Sequence, residues 1–374
     1  MKKLFALALA LVLALSCVSA LAADPVFDAF SGYLAGSGRE AKLYKPTEFI
    51  ETEAANMLYE DLYWFTVYGL ANQNDPAITA HWASLGLEKK IYDIEDADRM
   101  WSVFVPTGHE FPEGYQFPLV FCLHGNDNDI LLAETYGFAE LGGREGFITV
   151  CPWAKNEDII VEEIPRIIET LKAEEYPIDW TRVYATGFSK GGMATQNVAL
   201  AFPGLFAAVA PGGCGPMGIA EDAAEIASGA LNRTFQASAF ENAGTLPVLF
   251  FAGSCDAMPI ASTAVNAWTA LAGANAPEMT EELFTNIAAN SGYGVERLTG
   301  LQYQTLGQME VRVYDGQYYY IGSYYNDDGV CTFRAVSVEG APHWLMPSEA
   351  AVVWEFLSQF ARNTETGELM YVTK

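Results

Sequence analysis

Residues 182–193 read RVYATGFSKGGM. An apolar run typical of a strand ends at Thr186, and a run typical of a helix begins just after Gly191. Between them, Gly187 and Gly191 flank Ser189 in a G-x-S-x-G pattern, in which the two glycines allow a sharp turn that exposes the serine hydroxyl. The stretch therefore predicts a nucleophilic serine at an elbow between a strand and a helix.

The chain around this elbow alternates short apolar runs with helical ones from about residue 86 onward. Two of these runs, 119–123 and 147–151, are almost continuously apolar, as expected for central strands buried on both faces of a sheet. Further strands are predicted at 101–105, 182–186, 206–210, 248–252 and 332–338. This alternation predicts an α/β fold in which helices flank a mostly parallel central sheet.

The length of 374 residues fits one large core with appendages, and the sequence has no apparent internal repeat. We predict a helical N-terminal extension at residues 23–85 and an α/β domain at residues 86–374. An insertion at about 258–328 interrupts this domain and is rich in Tyr, Asn and Gly. Its composition does not predict its fold.

The first 22 residues form a predicted signal peptide. Two lysines precede the apolar run 4–18, and the small residues Ala20 and Ala22, on either side of Leu21, are typical of a cleavage site. A bilayer requires about 20 apolar residues, which no run of this chain reaches. We therefore expect a secreted, extracellular protein without a membrane span. Lipid attachment at Cys17 is the alternative, disfavoured because Ala14 occupies the position three residues before it, where a leucine is usual.

The composition is strongly acidic, since 47 Asp and Glu residues against 20 Lys and Arg residues give a formal net charge of -27. Phosphate backbones and anionic headgroups repel such a chain, so we expect no nucleic-acid partner. The four histidines and six cysteines lack the paired spacing of a metal site, so we expect no metal.

The nucleophile needs a base and an acid. In the chain order that accompanies this elbow, the base follows Ser189, and His343 is the only histidine there. The acid should lie just beyond a strand between these two residues, and Asp256 follows the strand at 248–252. Carboxylates that fit less well lie in a predicted helix or in polar turns: Asp222, Glu225, Asp315, Asp327 and Asp328.

Acyl transfer also requires two N–H groups that bind the developing oxyanion. The amide of Lys190, directly after the nucleophile, is the first candidate. The second is the amide of Gly125 or of Asn126, in the loop that follows the strand at 119–123. We expect His124 to shape this loop rather than to act as the base.

At these residues the chain resembles the α/β-hydrolase superfamily, and within it the secreted esterases similar to polyhydroxybutyrate depolymerases and to feruloyl and acetylxylan esterases. The resemblance runs from about residue 90 to 362 and is most specific at 183–193, 202–211, 123–125 and 340–344. It implies ester hydrolysis through a Ser-Asp-His triad and an acyl-enzyme, and no cofactor. Two departures bear on the substrate: Asn-Asp-Asn at 126–128 and a long interval between Asp256 and His343.

The resemblance implies a small-molecule or polymeric ester substrate, either an aryl or acetyl ester of the plant cell wall or a polyester. Trp153, Trp344 and the tyrosines at 318–325 could form an aromatic wall for it, with core packing as the alternative. Two other functions stay open. One is a serine peptidase similar to the prolyl oligopeptidases, disfavoured because the chain lacks the length and repeats of their propeller. The other is a non-catalytic binding protein.

Secretion would also permit a disulfide. Because the strands before Cys214 and Cys255 are neighbours in the sheet of this superfamily, we hypothesise a bond between these two residues. Cys122 and Cys151 are equally close in sheet order but lie inside apolar strands, where we expect buried thiols.

Overall fold

The structure is a computed structural model that describes residues 76–93, 99–108, 111–125, 133–134, 136–154, 157–214, 240, 243–253, 262–276, 278, 309–314, 317–338 and 349–372. Its helices are α1 (Pro76–Ser84), α2 (Phe138–Glu145), α3 (Glu157–Ala173), α4 (Lys190–Ala201), α5 (Ser262–Leu271) and α6 (Glu349–Leu357). The predicted signal peptide and nearly all of the predicted extension lie outside these residues.

The strands are β1 (Leu87–Tyr92), β2 (Arg99–Pro106), β3 (Phe117–Leu123), β4 (Ile148–Ala154), β5 (Ile178–Phe188), β6 (Ala208–Gly212), β7 (Val248–Gly253), β8 (Met309–Tyr314), β9 (Gln317–Tyr325), β10 (Cys331–Val338), β11 (Phe360–Arg362) and β12 (Leu369–Tyr371). Within the described part of the chain, ten of them form one sheet in the order β1-β2-β4-β3-β5-β6-β7-β10-β9-β8. The six strands from β4 to β10 are parallel, and both margins of the sheet are antiparallel. The predicted, mostly parallel central sheet is confirmed.

Helices pack on both faces of this sheet. Strand β3 shows why the central strands are continuously apolar: Leu119 and Phe121 belong to the hydrophobic cluster on one face, whereas Val120 and Cys122 belong to the cluster on the other. The first cluster includes α3, α4 and α5, and the second includes α1, α2 and α6. Each large side chain fully buried in this way stabilises the fold by about 1.5–3 kcal/mol relative to exposure.

The segment predicted as an insertion contributes regular structure to the main domain. Helix α5 packs on the core, and β9 pairs antiparallel with β10 while β8 pairs with β9, so the sheet is wider than the sequence predicts. Tyr319, Tyr320 and Tyr324 are buried in β9, which agrees with core packing rather than with an aromatic wall.

Other local differences are small. Helix α3 continues through Pro165, although a proline inside a helix usually interrupts or kinks it. Phe360, which continues the apolar spacing of the last helix, lies instead in β11, opposite Tyr371 of β12. Cys122 and Cys151 are buried thiols, as expected. Cys214 is also a buried thiol and accepts a hydrogen bond from Gln196 Nε2 at 3.3 Å. The hypothesised disulfide with Cys255, which lies outside the described residues, therefore gains no support.

Candidate active site

The predicted elbow is present between β5, which ends at Phe188, and α4, which begins at Lys190. Ser189 joins them with φ 57° and ψ −118°, a left-handed conformation that L-residues rarely adopt. Its N–H donates to the Gly212 carbonyl at 2.9 Å, and its own carbonyl accepts from the Met193 N–H at 3.0 Å. The strained residue is therefore held between β6 and the first turn of α4.

The two glycines of the elbow are sterically required. A Cβ on Gly187 would lie 2.6 Å from the Gly191 carbonyl oxygen and 2.7 Å from that of Leu123. A Cβ on Gly191 would lie 2.0 Å from the Leu123 oxygen and 2.6 Å from the His124 oxygen. The end of β3 thus packs directly against the elbow, which brings the residues after β3 to the side of the nucleophile.

These residues include one candidate oxyanion donor, Gly125, and the histidine expected to shape the loop. His124 is buried, with Nδ1 2.7 Å from the Gly125 carbonyl oxygen. Its ring stacks on that of Trp153 at the end of β4, with centroids 6.4 Å apart. Trp153 is half-buried and lies at the carboxyl end of β4, the edge of the sheet where we expect residues that contact the substrate. The other donor, the amide of Lys190, is at the first residue of α4, where N–H groups lack intrahelical partners.

The loops predicted to carry the acid and the base begin beside each other. β7 ends at Gly253 and β10 ends at Val338, and these two residues are paired in register. Parallel strands present their carboxyl ends at one edge of the sheet, so both loops leave from the edge that holds Ser189. Asp256, His343, Asn126 and Trp344 lie outside the described residues, and their roles stay predictions.

The predicted absence of a metal stays an expectation, although residues outside the masked ranges contain no group of three or more His, Cys, Asp or Glu side chains able to hold one. No helix in the described ranges is long and apolar enough to cross a membrane. One residue close to the elbow has no signal in the sequence: Tyr136 is buried against Phe188, with ring centroids 6.4 Å apart. No motif marks it, because its contact joins segments 52 positions apart.

A comparison with protein-family models finds no match. Among curated proteins, the chain is 32% identical over 117 residues to poly(3-hydroxyalkanoate) depolymerase C of Paucimonas lemoignei, covering 26% of this chain and 28% of that protein. It is 35% identical over 103 residues to a bifunctional acetylxylan esterase/xylanase of Neocallimastix patriciarum, covering 25% of this chain and 15% of that protein. Among solved structures, an acetyl xylan esterase from Aspergillus awamori aligns with a TM-score of 0.41 at 14% identity, over 72% of this chain and 99% of that one.

The antiparallel second strand, the six parallel strands beyond it and the serine elbow at their carboxyl edge define an α/β-hydrolase fold, as the sequence predicts. The predicted resemblance to polyhydroxyalkanoate depolymerases and acetylxylan esterases is confirmed by the two curated relatives. The matched segments span 28% and 15% of those relatives' own lengths, so the similarity covers parts of both proteins.

Proposed function

We propose that the protein is a secreted serine carboxylesterase that acts through Ser189, Asp256 and His343. The observation that carries the proposal is the conformation of Ser189: a serine with positive φ, at a strand-to-helix turn whose glycines leave no room for a Cβ. A strained residue at the carboxyl edge of a parallel sheet is typical of a functional position.

The proposed reaction has two halves. Ser189 Oγ attacks the ester carbonyl while His343 takes its proton, and the collapse of the tetrahedral intermediate expels the alcohol, to which His343 returns the proton. Water, deprotonated by His343, then attacks the acyl-enzyme. The second tetrahedral intermediate releases the acid as His343 returns the proton to Ser189 Oγ. Asp256 orients His343, and the oxyanion accepts hydrogen bonds from the amide of Lys190 and from that of Gly125 or Asn126.

The proposed substrates are aryl or acetyl esters of plant cell-wall polymers, or polyesters. The names of the two curated relatives support acetyl esters and polyesters as substrates. Each relative matches about a quarter of this chain. Trp153, beside the loop after β3, supports an aromatic contact with the substrate, and Trp344 is proposed as its companion. The net charge of -27 favours a neutral or cationic substrate over nucleic acid. Secretion is proposed on the signal peptide at residues 1–22.

Hydrolysis of a chromogenic acyl ester tests the proposal. The protein should release the chromophore, and Ser189→Ala should not. Ser358→Ala is the matched control, since its Oγ is buried without a hydrogen-bond partner among the described residues, and it should retain full activity. A panel of methyl ferulate, acetylated xylan, short polyesters and prolyl peptides then separates the substrates. Preferred cleavage of prolyl peptides would favour the peptidase, and no turnover of any ester would favour a binding protein.

A further inference from the structure

The segment at residues 133–136 rejoins the core just after the loop that carries the candidate oxyanion donors. Tyr136 is 2% exposed and meets both halves of the site. Its ring packs edge-on against Phe188, which directly precedes the nucleophile, and its phenol oxygen accepts a hydrogen bond from the Gly125 backbone N–H. One side chain therefore connects the elbow with the end of β3.

A buried ion pair fixes this segment from the other side. Glu134, 1% exposed, accepts from Lys89 Nζ of β1 and from Ser102 Oγ of β2, both at 2.7 Å. Lys89 is itself almost fully buried, with a side-chain exposure of 4%. Because removing one member of such a pair leaves an uncompensated buried charge, the pair strongly favours a single position for this segment.

A third contact comes from β3 itself. Cys122 Sγ donates to the carbonyl of Ala133 at 3.5 Å. The chain before the loop and the chain after it are thus joined twice, once through Cys122 and once through Tyr136. Burial raises the pKa of the Tyr136 phenol far above its usual range, so this hydroxyl stays neutral at any working pH.

We propose that Tyr136 is a positioning residue for the oxyanion side of the site. By holding the Gly125 amide it sets the direction in which the chain leaves β3. Because the Gly125 N–H is engaged by Tyr136, the amide of Asn126 serves as the second donor to the oxyanion. This role rests on the proposed esterase function and deepens it, since small displacements of such donors lower turnover strongly.

The test is Tyr136→Phe, which removes the hydroxyl and keeps the ring on Phe188. We expect kcat per active site, counted by burst titration with p-nitrophenyl acetate, to fall about tenfold with little change in KM. A trifluoromethyl ketone, whose adduct with Ser189 carries an oxyanion, should lose affinity by the same factor as kcat/KM. A variant that is only less stable would lower the titrated fraction and leave both quantities unchanged.

Tyr184→Phe is the matched control. Tyr184 is fully buried in the same cluster, and its hydroxyl donates to the Phe360 carbonyl at 2.7 Å, away from the elbow. Equal kcat and ketone affinity in the two variants would overturn the positioning role. A wild-type protein that neither cleaves esters nor binds the ketone would instead overturn the proposed function. If Tyr136→Phe does not fold, Glu134→Asp keeps the charge opposite Lys89 and should show the same paired losses; control-like values there would overturn the role as well.

Discussion

The carboxyl and amino edges of the parallel sheet differ in how a key polar residue is held: one is strained, and the other is fully hydrogen-bonded. At the carboxyl edge, Ser189 is held in a left-handed conformation that costs free energy. At the amino edge, Arg362 is buried, and its Nε, Nη1 and Nη2 donate to the carbonyls of Phe206, Gly367 and Thr245 at 2.7, 2.8 and 2.7 Å. The nucleophile is thus held in a strained conformation at one edge, whereas the buried charge at the other edge has its hydrogen bonds satisfied.

This difference indicates that the residues responsible for turnover and those responsible for stability lie at opposite edges of the sheet. Hydrogen bonds from a charged group to carbonyls just before β6 and β7 stabilise the start of the sheet. The elbow contributes strain instead, which the packing of Gly187 and Gly191 against β3 maintains. Substitutions at the carboxyl edge should therefore change turnover, with or without a change in stability, whereas those at the amino edge should change only the free energy of unfolding.

The largest effect should come from the nucleophile and the base. Ser189→Ala and His343→Ala should each lower kcat on the order of a million-fold, leaving the residual catalysis of the oxyanion donors. Neither should change the thermal unfolding midpoint by more than a few degrees. Near-normal turnover in His343→Ala, with loss in His124→Ala, would assign the base to the loop after β3.

Asp256→Asn should have the next largest effect, lowering kcat on the order of ten-thousand-fold because the imidazole loses its orienting carboxylate. Steady-state kinetics on the same chromogenic ester measure it. Asp222→Asn and Asp327→Asn are the controls, because they make the same substitution at carboxylates that are not the proposed acid. A loss in either of them, with Asp256→Asn unaffected, would place the acid on another loop.

The sequence predicts the carboxyl edge better than the rest of the molecule, because the signals for this edge come from residues close together in the chain. The elbow depends on Gly187, Ser189 and Gly191, which lie within five residues, and the buried strands are recognisable from apolar runs of five. Asp256 and His343 follow from chain order, and the register of Gly253 with Val338 supports their common edge without testing the residues themselves.

What the sequence misses depends on contacts between distant segments. The tyrosines of β9 suit a pocket wall as well as a strand, and only pairing with β10 decides for the strand. No sequence pattern marks Arg362 or Tyr136, because partners of each lie far away in the chain: Phe206 and Thr245 for the arginine, Phe188 for the tyrosine.

Gly191→Ala should affect both turnover and stability. Its Cβ would meet the backbone oxygen of Leu123 at 2.0 Å, which cannot move without shifting β3. We expect a loss of about 3 kcal/mol in unfolding free energy and about a hundredfold in kcat per titrated site. Gly204→Ala is the control: nothing lies within 4 Å of the added methyl group, so its φ of +87° should cost about 1–2 kcal/mol of stability while kcat stays normal. Normal kcat in Gly191→Ala, together with a loss of stability no larger than that of Gly204→Ala, would show that the elbow tolerates a side chain.

Arg362→Met should affect stability alone. It leaves three carbonyls without their donor, and we expect a loss of about 3 kcal/mol in unfolding free energy from denaturant titration. Arg144→Met removes the same charge from an exposed position and should change the free energy by less than about 0.5 kcal/mol. A fall in kcat per active site in Arg362→Met would contradict the separation between the two edges.

The smallest effect should be a gain in stability at the catalytic edge. Ser189→Gly removes the Cβ that makes φ 57° and ψ −118° costly, a relief of about 1–3 kcal/mol, and adds chain entropy to the unfolded state, which opposes it by up to about 1 kcal/mol. Ser189→Ala keeps the Cβ and loses the same hydroxyl, so the difference in stability between the two inactive variants is the relief of strain less the entropy gained by the unfolded chain. We expect Ser189→Gly to be the more stable by about 1 kcal/mol in denaturant titration. If Ser189→Ala proved equally stable or more so, the elbow would not be strained, and the two edges of the sheet would differ in chemistry without differing in stored free energy.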